Sequence, residues 1–108
     1  MNPAIFILGQ SALPLAQALK SSLGGEIHAP EGGDVAYARA TDHLAKLFAA
    51  GRMIVGLCAT GILIRAVASQ LKDKQNEPPV IAVAEDGSSI IPLLGGHHGA
   101  NALARQIA

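Results

Sequence analysis

Three short stretches of the chain, residues 4–8, 53–57 and 80–84, are apolar without interruption. Each is too short for a helix and lacks polar alternate positions. Each therefore reads as a strand covered on both faces, the pattern of a parallel sheet. Parallel strands need long crossovers rather than tight turns, and the segments between the runs carry helical patterns. In residues 12–23, Ala12, Leu15, Ala16, Leu19 and Leu23 fall on one stripe. Pro14 fits only in the first turn of that helix, Ser11 is a candidate N-cap, and Gly24-Gly25 supplies the stop. Residues 26–29 read as a short second strand and residues 30–34 as a loop. Residues 41–50 predict a second helix with Leu44, Leu47 and Phe48 inward and Asp42, His43 and Lys46 outward, ended by Gly51.

The third helix is expected over residues 62–71, with Thr60 as its cap and Arg65, Ser69, Lys72 and Asn76 as its polar stripe. A polar loop follows over residues 72–79. Asp86-Gly87 marks a hairpin, and Pro92 in the returning run of residues 89–93 points to an edge strand. Residues 95–99 read as a glycine- and histidine-rich loop, and residues 100–107 as a last helix. This order predicts a three-layer α/β/α sandwich with a mostly parallel, flavodoxin-like sheet and an antiparallel edge hairpin. The expected strand order is 2-1-3-4, with the hairpin strand outermost. The 108 residues suffice for one α/β domain. The last helix carries no cap, so residues 1–108 are expected to be the N-terminal fragment of a longer multidomain protein.

Composition narrows the function classes. Eight Lys and Arg balance eight Asp and Glu, so a broad basic surface for nucleic acid is excluded. Aromatics are 3%, too few for platforms that stack single-stranded bases. The single cysteine, Cys58, excludes an internal disulfide and reads as a small buried apolar residue rather than a nucleophile. No apolar run approaches ~18 residues, and the start lacks a charged signal-peptide pattern, so no membrane partner and a cytoplasmic location are expected.

Ligands of such sheets bind beyond the carboxyl ends of the strands. Two loops there precede helices, Gly9-Gln10-Ser11 and Cys58-Ala59-Thr60-Gly61. Their backbone N–H groups suit carboxylate or phosphate, although small residues also serve tight turns alone. Neither loop carries a nucleotide-binding glycine pattern. Arg65 either reaches back to bind a carboxylate or is a solvated charge. His97 and His98, between Gly95-Gly96 and Gly99-Ala100-Asn101, are open to proton transfer or substrate contact, to a structural role, or to metal ligation. No acidic or cysteine residue stands at metal-ligand spacing beside them, so no metal site is expected. Asn101 is either a cap or a ligand-facing amide. His28 and His43 read as surface residues.

Three blocks together resemble a known family. Residues 56–65, from Gly56-Leu57-Cys58-Ala59-Thr60-Gly61 to Arg65, are similar to the strand-turn-helix of the N-terminal region of cobalt-precorrin-5A hydrolase. Lys72-Asp73-Lys74 with Glu77-Pro78-Pro79-Val80, and then Pro92 to Asn101 with its Gly95-Gly96-His97-His98-Gly99 core, resemble the family's next two stretches. The resemblance implies cobalamin biosynthesis: opening of a lactone on a cobalt-bearing precorrin, with release of acetaldehyde. It implies His97 and His98 as catalytic candidates and Thr60, Gly61, Arg65, Gly95, Gly96 and Asn101 as substrate-binding candidates, with Lys72 and Lys74 adding charge. The chain also resembles versions of this domain fused ahead of precorrin-3B C(17)-methyltransferase. In such a fusion it would be a non-catalytic tetrapyrrole-binding or scaffold module. The hydrolase pattern has a second glycine where this chain has Gly99 alone, and commonly Asp where Glu77 stands. The implied partners are a precorrin or cobalt-precorrin, a fused or neighbouring cobalamin-biosynthesis domain, and a second copy in a homodimer. No cofactor is expected within the chain. S-adenosylmethionine would enter only through a methyltransferase domain, and cobalt only as part of the substrate.

Overall fold

Because the apolar runs have no polar face, each must lie inside a sheet with helices on both sides. The computed structural model describes residues 2–68 and 78–94, together with Arg105 and Ile107. Its strands are β1 (Ala4–Ile7), β2 (Glu26–Ala29), β3 (Val35–Ala36), β4 (Ile54–Leu57), β5 (Val80–Val83) and β6 (Ile90–Leu94). They form one sheet in the order β3-β2-β1-β4-β5-β6. All neighbours are parallel except β5 and β6. The expected order and the antiparallel edge hairpin are therefore present. β3 extends the sheet beyond the expected second strand. It has two exposed residues, too few to leave a periodic signal.

The helices are α1 (Leu13–Leu23), α2 (Ala40–Ala49) and α3 (Thr60–Val67), with a single 3-10 turn, Gln10–Ala12, leading into α1. Strand side chains alternate between the two layers. Ile5, Ile7, Val55, Leu57, Ile81 and Val83 pack under Ala16, Leu19 and Leu23 of α1, and Ile107 joins this side. Ala4, Phe6, Ile54, Val80 and Ala82 pack under Leu44, Leu47 and Phe48 of α2 and Leu63, Ala66 and Val67 of α3. Gly56 of β4 makes the second contact possible: a Cβ there would lie 2.7 Å from Cδ2 of Leu63. Leu63 itself is fully buried, so α3 rests directly on the β4 backbone.

Two expected caps are absent. α3 begins at Thr60, with Ala59 as its N-cap and no side-chain cap bond. Ser11 lies inside the 3-10 turn, and its hydroxyl donates instead to Glu85 Oε2 at 2.9 Å. Hydroxyl residues near a helix start cap only if they occupy the flanking position, which is Ala59 here and Ala12 in α1. The hairpin turns where expected. The Gly87 N–H donates to the Ala84 carbonyl, and Gly87 takes a φ of 77°, a left-handed conformation that glycine adopts freely. The expected end of the third helix and residues 72–77 of the polar loop lie outside the described residues.

Candidate functional site

The chain leaves β1 toward β2 through α1 on one face, and β4 toward β5 through α3 on the other. Connections diverge between β1 and β4, which opens a crevice at their carboxyl ends. The β4–α3 connection and the β5–β6 hairpin enclose a cleft of about 520 Å³ beside it. Cys58, Ala59 and Thr60 line one side and Glu85, Asp86, Ser88 and Ser89 the other. The 3-10 turn holds this rim together. Ser11 binds Glu85, and Gln10 Nε2 donates to the Glu31 carbonyl at 2.7 Å.

The chemistry of the cleft follows from those residues. Cys58 is 7% exposed, and burial, with the nearby Glu85 carboxylate, pushes its thiol up to about 11. It is therefore a protonated, weakly reactive thiol at neutral pH, as the sequence suggested. The Ser88 hydroxyl and backbone N–H hold the Asp86 carboxyl below the usual carboxylate range. Two carboxylates thus face the cleft, and no cation lines it among the described residues. Among the described residues the positive potential at the cleft comes from the start of α3, where no side chain caps the first turn.

The sequence-selected residues do not all converge on this cleft. Thr60 lines it, and Gly61 follows in the first turn of α3. Arg65 is exposed in the last described turn of that helix and is not among the lining residues. Gly95, Gly96, His97, His98 and Asn101 lie outside the described residues, as do Lys72 and Lys74. Leu94, the last described residue before His97 and His98 in the sequence, pairs with Val80 at the amino end of β5. The cleft stands at the opposite end of that strand, near Ala82 and Ala84. Among the described residues no group of three or more His, Cys, Asp or Glu is arranged to hold a metal, and no helix is long and apolar enough to cross a membrane.

A second cluster corrects the reading of His28 as a surface residue, while His43 is half-buried at the edge of a groove. His28 is 3% exposed. Its Nδ1 lies 2.7 Å from His43 Nε2, and its Nε2 lies 2.9 Å from Glu26 Oε1. Arg52 Nη2 reaches the same Glu26 oxygen at 2.6 Å. Burial raises the Glu26 carboxyl, but hydrogen bonds from His28 and Arg52 outweigh it and leave the group below its ordinary value. Tyr37 stacks on both Phe6 and His43, with ring centroids 5.0 and 5.1 Å apart. Its hydroxyl donates to the Ile7 carbonyl at 2.6 Å, and burial pushes its pKa up to about 12. The strand periodicity held the signal for His28. Ile27 points to the α1 layer, so His28 must point to the α2 layer, and in a parallel sheet both are covered.

Known proteins agree with this architecture. A cobalamin biosynthesis protein G homolog from Sulfolobus solfataricus has a solved structure that superposes with a TM-score of 0.73 at 24% identity, covering 98% of this chain and 33% of that one. Cobalt-precorrin-5A hydrolase from Priestia megaterium is 35% identical over 66 residues, which is 60% of this chain and 18% of that protein. The enzyme of the same name from Salmonella typhimurium is 43% identical over 56 residues, 51% of this chain and 16% of that protein. The matched segments thus make up less than a fifth of these curated relatives. The profile of one family matches residues 42–108, a segment that contains every residue lining the cleft. The chain belongs to that family, cobalamin synthesis G N-terminal.

Proposed function

We propose that the chain is the substrate-handling N-terminal domain of an enzyme that opens the lactone of a cobalt-precorrin. The observation that carries this reading is the coincidence of the cleft with the segment that matches the family. Lactone hydrolysis needs a base for water, donors for the oxyanion and an acid for the leaving oxygen. In this reading the Thr60 and Gly61 N–H groups stabilise the oxyanion. Arg65, Gly95, Gly96 and Asn101 hold the carboxylate edge of the tetrapyrrole. His97 or His98 activates water or protonates the leaving oxygen. Cobalt enters as part of the substrate. The two carboxylates of the cleft repel the substrate's own carboxylates, so this reading seats the lactone, not the acidic edge, between Thr60 and Asp86.

The test replaces His97 and His98 with Ala in the full-length, cytoplasmically expressed protein and follows acetaldehyde release. Loss of an acid–base group lowers turnover by roughly 10²–10⁴-fold. Unchanged turnover removes the histidines from the mechanism. A second reading is favoured by Gly99 and Glu77, which depart from the hydrolase pattern. Here the chain is a tetrapyrrole-binding module or scaffold fused to a precorrin-3B C(17)-methyltransferase that uses S-adenosylmethionine. Precorrin binding by the chain without any lactone opening in the full protein selects it. Sedimentation of the full protein tests the proposed homodimer.

A further inference from the structure

The Glu26–His28–His43 cluster lies on the α2 side of the sheet and plays no part in the reading above. With His28 neutral, the hydrogen bonds of the cluster order its tautomers. Glu26 accepts from both His28 Nε2 and Arg52, so it is the anionic end, and His28 Nε2 carries a proton. With His28 neutral, Nδ1 then accepts, and His43 Nε2 at 2.7 Å, its partner among the described residues, donates. A neutral His43 that donates from Nε2 has a lone pair on Nδ1. The His43 ring lines a groove of about 360 Å³ with Tyr37, Arg39, Asp42 and Lys46. The two cations outnumber the one carboxylate there. Arg39 and Asp42 stand 4.0 Å apart, both well exposed, so their pairing is weak.

We propose that Glu26, His28 and His43 form a hydrogen-bonded relay that passes no proton along itself but leaves His43 Nδ1 as a proton acceptor, making the groove beside α2 a binding site for a small carboxylate-bearing ligand with a proton to give up. Arg39 and Lys46 attract the carboxylate. The ligand or a water held beside it loses a proton to Nδ1; the electron pair of the broken O–H bond stays on oxygen. His43 becomes an imidazolium whose Nε2–H still bonds to His28, and the Glu26 carboxylate at the far end offsets the new charge. Nothing is oxidised or reduced. Tyr37 acts only by stacking, because its hydroxyl is engaged by Ile7. The charged and titratable groups facing His43 are His28 from β2, Tyr37 and Arg39 before α2, and Asp42 and Lys46 on α2 itself. Burial, with the Lys46 ammonium beside it, keeps its ring below the ordinary histidine value, so it is a neutral acceptor at pH 7.

The test is a long-range proton–nitrogen NMR titration of the histidine-labelled chain with succinate as the probe, so it involves no tetrapyrrole and its outcome is separable from the lactone reading. At pH 7 His43 is expected as the Nε2–H tautomer. Succinate should shift its Nδ1 resonance and raise its titration midpoint, and Arg39→Gln with Lys46→Gln should abolish both effects. Glu26→Gln should lower the His43 midpoint, because it removes the anion that offsets the imidazolium. Arg52→Gln breaks the ion pair but keeps the Glu26–His28 bond, so it should leave the His43 tautomer unchanged and serves as the control for lost stability. An Nδ1–H tautomer in the unsubstituted chain overturns the relay, whether or not any variant folds. Silence toward succinate overturns the site.

Discussion

The contact between Gly56 and Leu63 is the tightest test of how the cleft is built. Gly56→Ala places a methyl group 2.7 and 2.9 Å from the two terminal carbons of Leu63. Leu63 is fully buried between β4 and α3 and cannot swing into solvent. Either Leu63 leaves its rotamer or α3 lifts from the sheet, and overpacking of this kind costs about 1–3 kcal/mol. Leu63→Ala alone leaves a cavity and costs about 2–5 kcal/mol. In the double variant the new methyl enters space that Leu63 has vacated, so its loss should fall short of the sum by about 1–2 kcal/mol. Urea unfolding followed by far-ultraviolet circular dichroism measures all three. For a domain near this size each kcal/mol also moves Tm by about 4–8 °C. Additive losses would refute the claim that Leu63 sets the distance between α3 and β4. The functional consequence is separate and measurable. In the proposed lactone-opening reading, Gly56→Ala should lower acetaldehyde release by the full protein more than its stability loss explains, because α3 carries Thr60 and Gly61 at the cleft.

Three further outcomes follow from the titrating groups. Folded Cys58 should react with a thiol reagent at pH 8 about two orders of magnitude more slowly than the urea-unfolded chain, reflecting its smaller thiolate fraction; equal rates would mean the thiol is neither buried nor raised. Cys58 and Tyr37 both hold their protons more tightly folded than unfolded, so the stability they add is complete below about pH 9 and declines as pH rises from there toward their folded values near 11 and 12. Alkaline unfolding curves of Cys58→Ala and Tyr37→Phe should each be flatter than the parent's, and Tyr37→Phe should cost about 1 kcal/mol at neutral pH for the lost bond to Ile7. Glu26 has the opposite sign. Its carboxyl is lowered on folding from 4.5, so its contribution is present above that pH and is lost as the pH falls through the folded value. Glu26→Gln should flatten the acid limb of stability below about pH 4.5, and a limb identical to the parent's would contradict the ion pair drawn from Glu26 to Arg52 and the hydrogen bond drawn to it from His28.

The parts of this fold visible in the sequence are those where one physical requirement dominates. Uninterrupted apolar runs admit only strands covered on both faces, so β1, β4 and β5 were readable. Asp86-Gly87 admits little but a turn. β3 was not readable, because two exposed residues joined to β2 by backbone pairing carry no pattern. His28 was misplaced for a different reason. Polarity alone points His28 outward, but in β2 the alternation that buries Ile27 also buries His28, and tertiary partners then satisfy it. The caps failed because Thr60 and Ser11 stand one residue from the flanking positions, a shift that composition cannot register. The cleft was half legible. Thr60 was expected at the rim, whereas Glu85, Asp86 and Ser88 gather there only through the hairpin's return.

The two borders of the sheet also limit how molecules of this protein meet. An outermost strand offers unpaired N–H and C=O groups on which a strand from another chain can grow. One border is β3, only two residues long. The other is β6, where Pro92 supplies no N–H and the pairing with β5 slips beside Val80 and Ile81. Neither border provides the long, regular ladder that end-to-end sheet growth requires. Among the described residues, the borders of the sheet therefore offer little length along which copies of this protein could join strand to strand.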